Sequence, residues 1–289
     1  MTSAEAVTVV IPALDSAATI GRCLHALHAA RDSGQIAEVL VADGGSRDAT
    51  ARIARSWGAT VIPNPHRHAA GGRQAGVDRT RSPLVAFLDS DCVPLTGWLD
   101  AALPWLRQGA DGVGGPAVGL PSEGAVERFS ADTFAAVMRF ERSARRVAAR
   151  SVGGSLVGGN MVYRVTAVRA AGGFDLSVGN FGEDIDLLWR LIDRGSTVMY
   201  EPTMVVMHRF PSTLPELMRT WYRYGRASSA LARRHLPTPA VDMRIYRLLA
   251  DSVLKAPLAP DPHSMRVLQV LSHLAGKSVG SLREGIINL

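Results

Sequence analysis

The sequence predicts an α/β fold, with a mostly parallel central sheet and helices on both of its faces. Over the first hundred residues, short apolar runs alternate with segments of helical spacing. This alternation is typical of parallel sheets, because each parallel strand needs a crossover before the next one. Three of these runs also lead into a proline or an aspartate. Ligands of such sheets bind at the carboxyl ends of the strands, so those residues are candidates for a site.

The elements of the first half follow from the period of the apolar residues. Ile20, Leu24 and Leu27, for example, have helical spacing. We predict strands over 7–11, 39–42, 60–62 and 84–88, and helices over 17–30, 48–57 and 71–79. The polar residues expected at the carboxyl edge of this sheet are Pro12, Asp15, Asp43, Asp89 and Asp91.

The pattern changes in the second half. We predict a long helix over 122–150, a glycine-rich loop over 153–159, a strand over 160–163, a helix over 183–194, strands over 198–200 and 205–208, and a basic helix from about 215 to 235. A linker at 237–239 and helices near 242–255 and 263–276 follow. The predicted domains are therefore 1–235, with a nucleotide-binding half (1–120) and an acceptor half (121–235), and a helical extension over 236–289.

Composition narrows the class of protein. The 289 residues contain no run of about 18 apolar residues, so no transmembrane helix is predicted. The N-terminus lacks a basic segment followed by an apolar one, so a secretory signal is not expected. Cys23 and Cys92 are too few for a disulfide framework, which fits a reducing cytoplasm.

The positive charge is carried almost entirely by arginine. The net charge is +6, and lysine occurs only at positions 255 and 277. Arginine suits phosphate and carboxylate, so an acidic substrate or an anionic membrane surface is a candidate partner. Genomic base composition explains abundant arginine equally well. No zinc spacing or aromatic-basic motif indicates nucleic acid.

The sequence Phe-Leu-Asp-Ser-Asp at 87–91 is the strongest chemical signal. In a strand, residues two apart point to the same face, so Asp89 and Asp91 are expected to share one crevice. Hard oxygen ligands suit Mg²⁺ or Mn²⁺, which is commonly shared with a phosphate. The alternative is a strand that simply ends in a polar turn.

Five motifs in order resemble the family 2 glycosyltransferases, which have the GT-A fold. The resemblance covers about 7–235 and rests on the segments 7–15, 38–50, 71–76, 87–91 and, together, 172–175 with 182–187. It implies a nucleoside-diphosphate sugar donor, with a UDP-sugar favoured, and a divalent ion that stabilises the charge growing on the leaving diphosphate. Within this family, the sequence is similar to enzymes of bacterial exopolysaccharide or glycolipid synthesis.

For the donor side, the resemblance implies that Asp91 binds the metal and that Asp89 shares the ion or lies near the ribose. Asp43 is expected to accept a hydrogen bond from the base or ribose. Gly44 replaces a usual carboxylate, while Asp15 and Gln74 stand where asparagine is common, so base specificity is left open. We expect Arg73, at a helix start, to hold phosphate or base with backbone N–H groups; the alternative is a solvated arginine.

For the acceptor side, Asp184 matches the base of the family's Glu-Asp motif, and inversion is implied. Glu183, at the helix start, is a candidate contact for the nucleotide sugar. Helix capping is the alternative for all three acidic residues of this turn, Glu183, Asp184 and Asp186. His208 resembles a third metal ligand, or else faces solvent. Arg223 is a candidate for the diphosphate or an anionic acceptor.

Two departures bear on the class of transfer. Thr220 and Tyr224 replace residues of the Gln-x-x-Arg-Trp motif of processive synthases, which favours single addition. Trp221 either stacks on a sugar or belongs to the core. A predicted helical face could contact anionic lipid near a lipid-linked acceptor, or be a solvated face or a subunit contact; it consists of Arg139, Arg142, Arg146 and Arg150.

The sequence therefore predicts a cytoplasmic, metal-dependent, inverting, non-processive glycosyltransferase acting on a glycan, lipid-linked or small-molecule acceptor. One rival is a nucleotidyltransferase, which favours a glycine-rich loop with a lysine; residues 13–18 contain neither. The other is a catalytically inactive protein that only binds a sugar nucleotide.

Overall fold

The computed structural model describes residues 6–148, 156–235 and 262–285. The chain divides into two compact units, the first formed by Met1–Leu120 with Ala135–Arg209 and the second by Pro121–Phe134 with Phe210–Leu289. The predicted domain boundary at 235/236 remains a prediction, because the linker at 237–239 and the helix near 242–255 lie outside the described residues.

An eight-stranded sheet forms the centre of the first unit. Its strands are β1 (Val7–Ala13), β2 (Ile36–Asp43), β3 (Thr60–Pro63), β4 (Leu84–Leu88), β6 (Gly112–Gly114), β8 (Arg145–Arg146), β9 (Asn160–Arg164) and β10 (Val198–Tyr200). Their spatial order is β3-β2-β1-β4-β9-β6-β10-β8. Only β9 and β8 run antiparallel to their neighbours. The predicted mostly parallel sheet is confirmed.

A small second sheet holds part of the candidate site. It has the order β5-β11-β7 and consists of β5 (Cys92–Pro94), β7 (Ala117–Gly119) and β11 (Val206–His208). β11 is antiparallel to β5, with His208 opposite Cys92. Asn160 is fully buried; it accepts from Trp98 Nε1 at 2.7 Å and donates to the carbonyls of Pro116 and Met204. The amide therefore fixes the segments that lead into this sheet.

The helices of the first unit connect its strands along the chain. They are α1 (Ile20–Ala26), α2 (His28–Asp32), α3 (Thr50–Ser56), α4 (Ala69–Arg79), α5 (Trp98–Arg107), α7 (Val165–Ala170) and α8 (Glu183–Asp193). The predicted helix over 17–30 is divided into α1 and α2 at Leu27. Helix α4 lies close to β1 because it is rich in glycine: a Cβ on Gly76 would meet the Val10 side chain at 2.4 Å.

Helix α6 (Ala125–Met138) is shorter than the predicted 122–150. It ends where Arg139 adopts a left-handed φ of 53°, a conformation that does not continue a right-handed helix. The predicted arginine face is therefore wrong: Arg139 and Arg142 follow the helix, Arg146 lies in β8, and Arg150 is outside the described residues.

The second unit contains two long helices, α9 (Leu214–His235) and α10 (Pro262–Glu284). Close packing between them depends on small residues, since a Cβ on Gly225 would meet the His273 carbonyl oxygen at 2.1 Å. Trp221 belongs to a buried cluster with Phe129, Leu217 and Met265, so the core interpretation of this tryptophan is confirmed.

Candidate active site

The loops after β1 and β2 are joined by hydrogen bonds that involve two predicted donor residues. Asp43 ends β2, and its carboxylate accepts from the backbone N–H and hydroxyl of Ser46. Ser46 Oγ in turn accepts from the Asp15 backbone N–H at 2.9 Å, and Asp15 Oδ1 accepts from the Arg47 N–H at 2.8 Å. Asp15 has a left-handed φ of 49°, which aspartate and asparagine tolerate better than most residues.

Pro12 lies within β1, opposite Ala42 of β2. A Cβ on Gly72 of α4 would meet Pro12 Cβ at 2.9 Å. The glycine therefore lets the helix approach the end of the strand, and it brings α4 beside the loops that carry Asp15 and Asp43.

The N-terminus of α4 does not present free backbone donors. The Ala69 N–H donates to Asn180 Oδ1 at 2.7 Å, the Ala70 N–H to the Gly179 carbonyl, and the Gly71 N–H to His68 Nδ1 at 3.1 Å. The expectation that these N–H groups hold phosphate is thus wrong for this conformation, because the protein itself has satisfied them.

Arg73 is 2% exposed, so the solvated alternative is wrong. Its guanidinium forms ion pairs with two carboxylates, Asp89 after β4 at 2.7 Å and Glu183 at the first position of α8. These three residues are called the Arg73 cluster below. Direct contact of Arg73 with a donor stays a prediction.

Asp184 follows Glu183 in α8 and is half-buried. Its Oδ1 accepts from the Ile185 N–H at 2.9 Å. Burial raises the pKa of Asp184, and the Arg73 guanidinium only partly opposes this effect. Burial likewise raises the pKa of Glu183. One guanidinium faces three carboxylates here, those of Asp89, Glu183 and Asp184. Because one positive charge cannot balance three negative ones, an ionised Asp184 binds a proton more readily than a solvated aspartate does.

The capping alternative stays open for the acidic residues of α8. All three lie in its first turn, where negative charge is favoured, and Asp184 accepts from a first-turn N–H, but the other two also have specific partners. Glu183 binds Arg73, and Asp186 binds Arg190 at 2.8 Å. Arg190 also donates to the carbonyls of Ala171 and Gly173. Through these contacts, Arg190 attaches Asp186, at the end of the first turn of α8, to the Gly172-Gly173 turn.

Asp91 lies in a different environment from Asp89. Strand β4 ends at Leu88, and residues 89–91 form a turn. The strand alternation expected to send both carboxylates into one crevice therefore does not extend to them. Asp91 Oδ2 lies 3.5 Å from His208 Nε2, so the histidine faces a carboxylate while its side chain stays 26% exposed.

Asp91, Cys92 and His208 each offer a ligand atom, and these atoms lie within 4.8 Å of one another. Burial alone would raise the pKa of Asp91, but His208 lowers it below its usual value. Burial would lower the pKa of His208, but Asp91 raises it. Burial also raises the pKa of the Cys92 thiol, so this group stays protonated. The carboxylate suits Mn²⁺ or Mg²⁺, whereas an imidazole is more typical of other transition metals and a neutral thiol suits neither ion.

Two glycines contact these groups and were not predicted as site residues. A Cβ on Gly158 would lie 2.8 Å from Asp184 Oδ2 and 3.0 Å from Arg73 Nη2, and one on Gly159 would lie 2.7 Å from Asp89 Oδ2. The glycine-rich sequence before β9 signalled close backbone approach, but not what approaches it.

Gln74 has a structural contact. Its Oε1 accepts from the Phe174 N–H at 2.8 Å and its Nε2 donates to Asp78. Arg223 lies on α9 in the second unit, where its predicted role is untested. Within the described residues, every helix is too short or too polar to cross a bilayer.

Comparison with known proteins identifies related sequences. The profile of glycosyl transferase family 2 matches residues 8–172. A pre-mycofactocin glycosyltransferase of Mycobacterium tuberculosis (strain CDC 1551 / Oshkosh) is 31% identical over 235 residues, which cover 79% of this chain and 48% of the relative. Glycosyltransferase AglE of Haloferax volcanii is 28% identical over 229 residues, covering 76% of this chain and 72% of that protein. The chain thus spans about half the length of the mycobacterial relative.

Among solved structures, glucosyl-3-phosphoglycerate synthase from Mycobacterium tuberculosis is similar. Its complex with Mn²⁺, UDP and glucosyl-3-phosphoglycerate has a TM-score of 0.58 at 22% identity, covering 80% of each chain. The same synthase in complex with Mg²⁺ and UDP has a TM-score of 0.58 at 21% identity, covering 80% of this chain and 79% of that one. This similarity confirms the predicted fold class.

Proposed function

This chain belongs to glycosyltransferase family 2, and we propose that it is a metal-dependent, inverting enzyme that transfers one sugar from a nucleoside-diphosphate sugar to an acceptor hydroxyl. Two observations together support this proposal most. Asp91 pairs with His208, and the Arg73 cluster contains Glu183, the residue before Asp184 in the chain. These groups offer a metal site and a base in the same unit of the protein.

Asp91 and His208 would hold the divalent ion, either Mn²⁺ or Mg²⁺. When bound, such an ion stabilises negative charge on the departing diphosphate. The lowered pKa of Asp91 keeps its carboxylate ionised at neutral pH. Asp89 remains a candidate for the ion or the ribose, although its Oδ1 is paired with Arg73 in this structure.

Asp184 would take the proton of the acceptor hydroxyl as this group attacks. A single displacement with a base on the acceptor side gives inversion, and no second nucleophile is needed. The raised pKa of Asp184 supports this role, because a more basic carboxylate accepts a proton more readily.

Asp43, Asp15 and Pro12 would contact the nucleotide. The half-buried Asp43 carboxylate already accepts from Ser46, and Asp15 is exposed beside it. The similar synthase has been crystallised with UDP and with UDP-glucose, which favours testing UDP-sugars first. The acceptor would be a glycan, a lipid-linked sugar or a small molecule, and Arg223 remains a candidate for an anionic group on it.

Single addition is supported by Thr220 and Tyr224, which depart from the motif of processive enzymes. Cytoplasmic location is supported by Cys23 and Cys92, which are both free thiols. Lipid or subunit contact through the arginine face is dropped from the proposal, because that helical face does not form.

The test begins with a thermal-shift screen of UDP-, GDP- and dTDP-sugars with and without Mn²⁺, because a ligand of the folded state raises its apparent stability. The donor that stabilises the protein only with Mn²⁺ is then incubated with acceptors, and NMR of the product reports the anomeric configuration. We expect transfer with inversion. Donor binding without transfer or hydrolysis would instead favour the inactive binding protein.

A further inference from the structure

We infer that Arg73 is a positioning residue for the acceptor base: its guanidinium holds Glu183 and thereby fixes the first turn of α8, which carries Asp184. The inference rests on the proposed function, since it assigns Asp184 as the base. It gives Arg73 a role distinct from the donor contact that the sequence predicts.

The contacts of Arg73 support this role. Its Nη1 donates to Glu183 Oε1, its Nη2 donates to Asp89 Oδ1 at 2.7 Å, and the side chains of Arg73 and Glu183 are each 3% exposed. A planar guanidinium binds two carboxylates at a fixed angle, so the fork defines where Glu183 lies relative to the loop after β4. The adjacent residue in the chain is Asp184.

Arg73 itself starts from a rigid position. Gly72 and Gly76 pack α4 directly against Pro12 and Val10 of β1, with no room for a Cβ. The next residue, Gln74, accepts a hydrogen bond from the Phe174 N–H. The guanidinium is therefore attached to a helix that is fixed on two sides.

The first turn of α8 is held by side chains at two places. It follows Gly182, which has a φ of 86° and no side chain to cap the helix. Arg190 attaches the opposite part of this turn through Asp186. Among the described residues, the ion pair with Arg73 is what holds Glu183, so its loss would let Asp184 move.

The test uses Arg73→Lys, Glu183→Gln and the double variant, with Arg164→Lys as a matched control. Lysine keeps the charge but cannot bind two carboxylates as a fork, and glutamine keeps the shape of Glu183. Arg164 is half-buried, whereas Arg73 is buried, but it likewise joins two segments, by donating to the carbonyls of Leu106 and Ala110. The readouts are kcat, donor Kd with Mn²⁺, and hydrogen exchange of the Asp186 amide, which donates to Gly182 at 2.8 Å.

We expect each single variant to lower kcat about 100-fold, because a shift of about 1 Å in a reacting group can have this effect. Donor Kd should stay unchanged in Glu183→Gln, which leaves the pair of Arg73 with Asp89 in place. The double variant should have a kcat no lower than that of the slower single variant, since both substitutions remove the interaction of Arg73 with Glu183. The Asp186 amide should exchange faster in all three variants. The Arg164→Lys control should change none of these quantities.

A higher donor Kd with unchanged kcat would overturn the inference and make Arg73 a donor contact. Multiplying effects in the double variant would also overturn it. If Arg73→Lys does not fold, Glu183→Gln decides by the same comparison of kcat with Kd. If the wild-type protein transfers no sugar, the proposed function fails, while unchanged Asp186 exchange in Glu183→Gln would refute the positioning role separately.

Discussion

Asp89 and Asp91 are two residues apart in sequence, yet each has a different basic partner. Asp89 pairs with Arg73 at 2.7 Å, whereas Asp91 faces His208 at 3.5 Å. Arginine remains charged at all accessible pH values, while histidine can lose its proton. Asp89 is therefore paired with a permanent positive charge. Asp91 faces a histidine that, when neutral, can bind a metal ion together with it.

Access to solvent does not separate the two aspartates, whose side chains are 35% and 36% exposed, but it separates the Asp91–His208 pair from the Arg73–Glu183 pair. The side chain of His208 is 26% exposed, while those of Arg73 and Glu183 are each 3% exposed. An ion from solution can therefore reach the first pair, and the second acts as a fixed part of the fold. The comparison predicts that charge changes at the first pair alter ligand binding, whereas changes beside the second alter catalysis.

The largest effect is expected for Asp184→Asn. Asparagine is nearly isosteric but cannot take the proton of the acceptor, and general-base catalysis contributes about 10²–10⁴-fold. We expect kcat to fall by at least the lower figure, measured by steady-state transfer, while donor Kd measured by calorimetry is unchanged. Near-native turnover would show that Asp184 is not the base, and equal loss of donor binding would move it to the donor site.

A smaller effect should separate the two sides of the Arg73 cluster. Gly158→Ala would push a methyl group against Asp184, and Gly159→Ala would push one against Asp89. We expect the first to lower kcat and the second to weaken donor binding, each by about ten- to a hundredfold, because displacements of about 1 Å have effects of this order.

Gly21→Ala is the matched control for both glycine variants. A Cβ there would meet only Ile53 Cγ2 at 3.7 Å, an ordinary contact. The control should keep kcat and donor Kd, and alanine in a helix should raise stability by about 1 kcal/mol. Identical kinetic effects of Gly158→Ala and Gly159→Ala would contradict the separation of roles.

The smallest effect concerns pH and stability. The pKa of Glu183 is raised in the folded protein, so its contribution to stability is complete below the unfolded-state pKa and is lost as pH rises through the folded-state pKa. Relative to Glu183→Gln, the wild-type protein should lose stability across that interval, by about 1.4 kcal/mol for each unit of pKa difference. Thermal unfolding at a series of pH values tests this, and a constant difference between the two proteins would contradict it.

The first half of the fold could be predicted because its signals are local. The apolar runs at 7–11, 39–42, 60–62 and 84–88 coincide with β1 to β4 within three residues. Three of them are buried on both faces of the parallel sheet, and the run at 60–62 lies in the edge strand β3, which is partly exposed. The long helix over 122–150 could not be corrected from sequence, because helical spacing continues beyond Arg139, where the backbone turns left-handed.

The candidate residues of the site could be chosen from the sequence, but only some of the contacts between them could be predicted. Asp91 and His208 were assigned to one metal site, and the structure brings them together. The small residues around Arg73, in Ala69–Arg79, could have indicated a helix packed close to the sheet and a buried arginine. Its partner Glu183 lies 110 residues away, and no local pattern in one sequence reveals such a contact.

The central claim is that Asp91 and His208 form the metal side of the site and that the buried Arg73–Glu183 pair does not. It is tested most directly by titrating Mn²⁺ into the wild-type protein, Asp91→Asn and Glu183→Gln in the presence of UDP, with free Mn²⁺ followed by electron paramagnetic resonance. Each variant removes one carboxylate charge, so the two are matched. We predict that Asp91→Asn loses saturable Mn²⁺ binding and that Glu183→Gln retains wild-type binding. Retention by Asp91→Asn, or equal loss in both variants, would contradict the account.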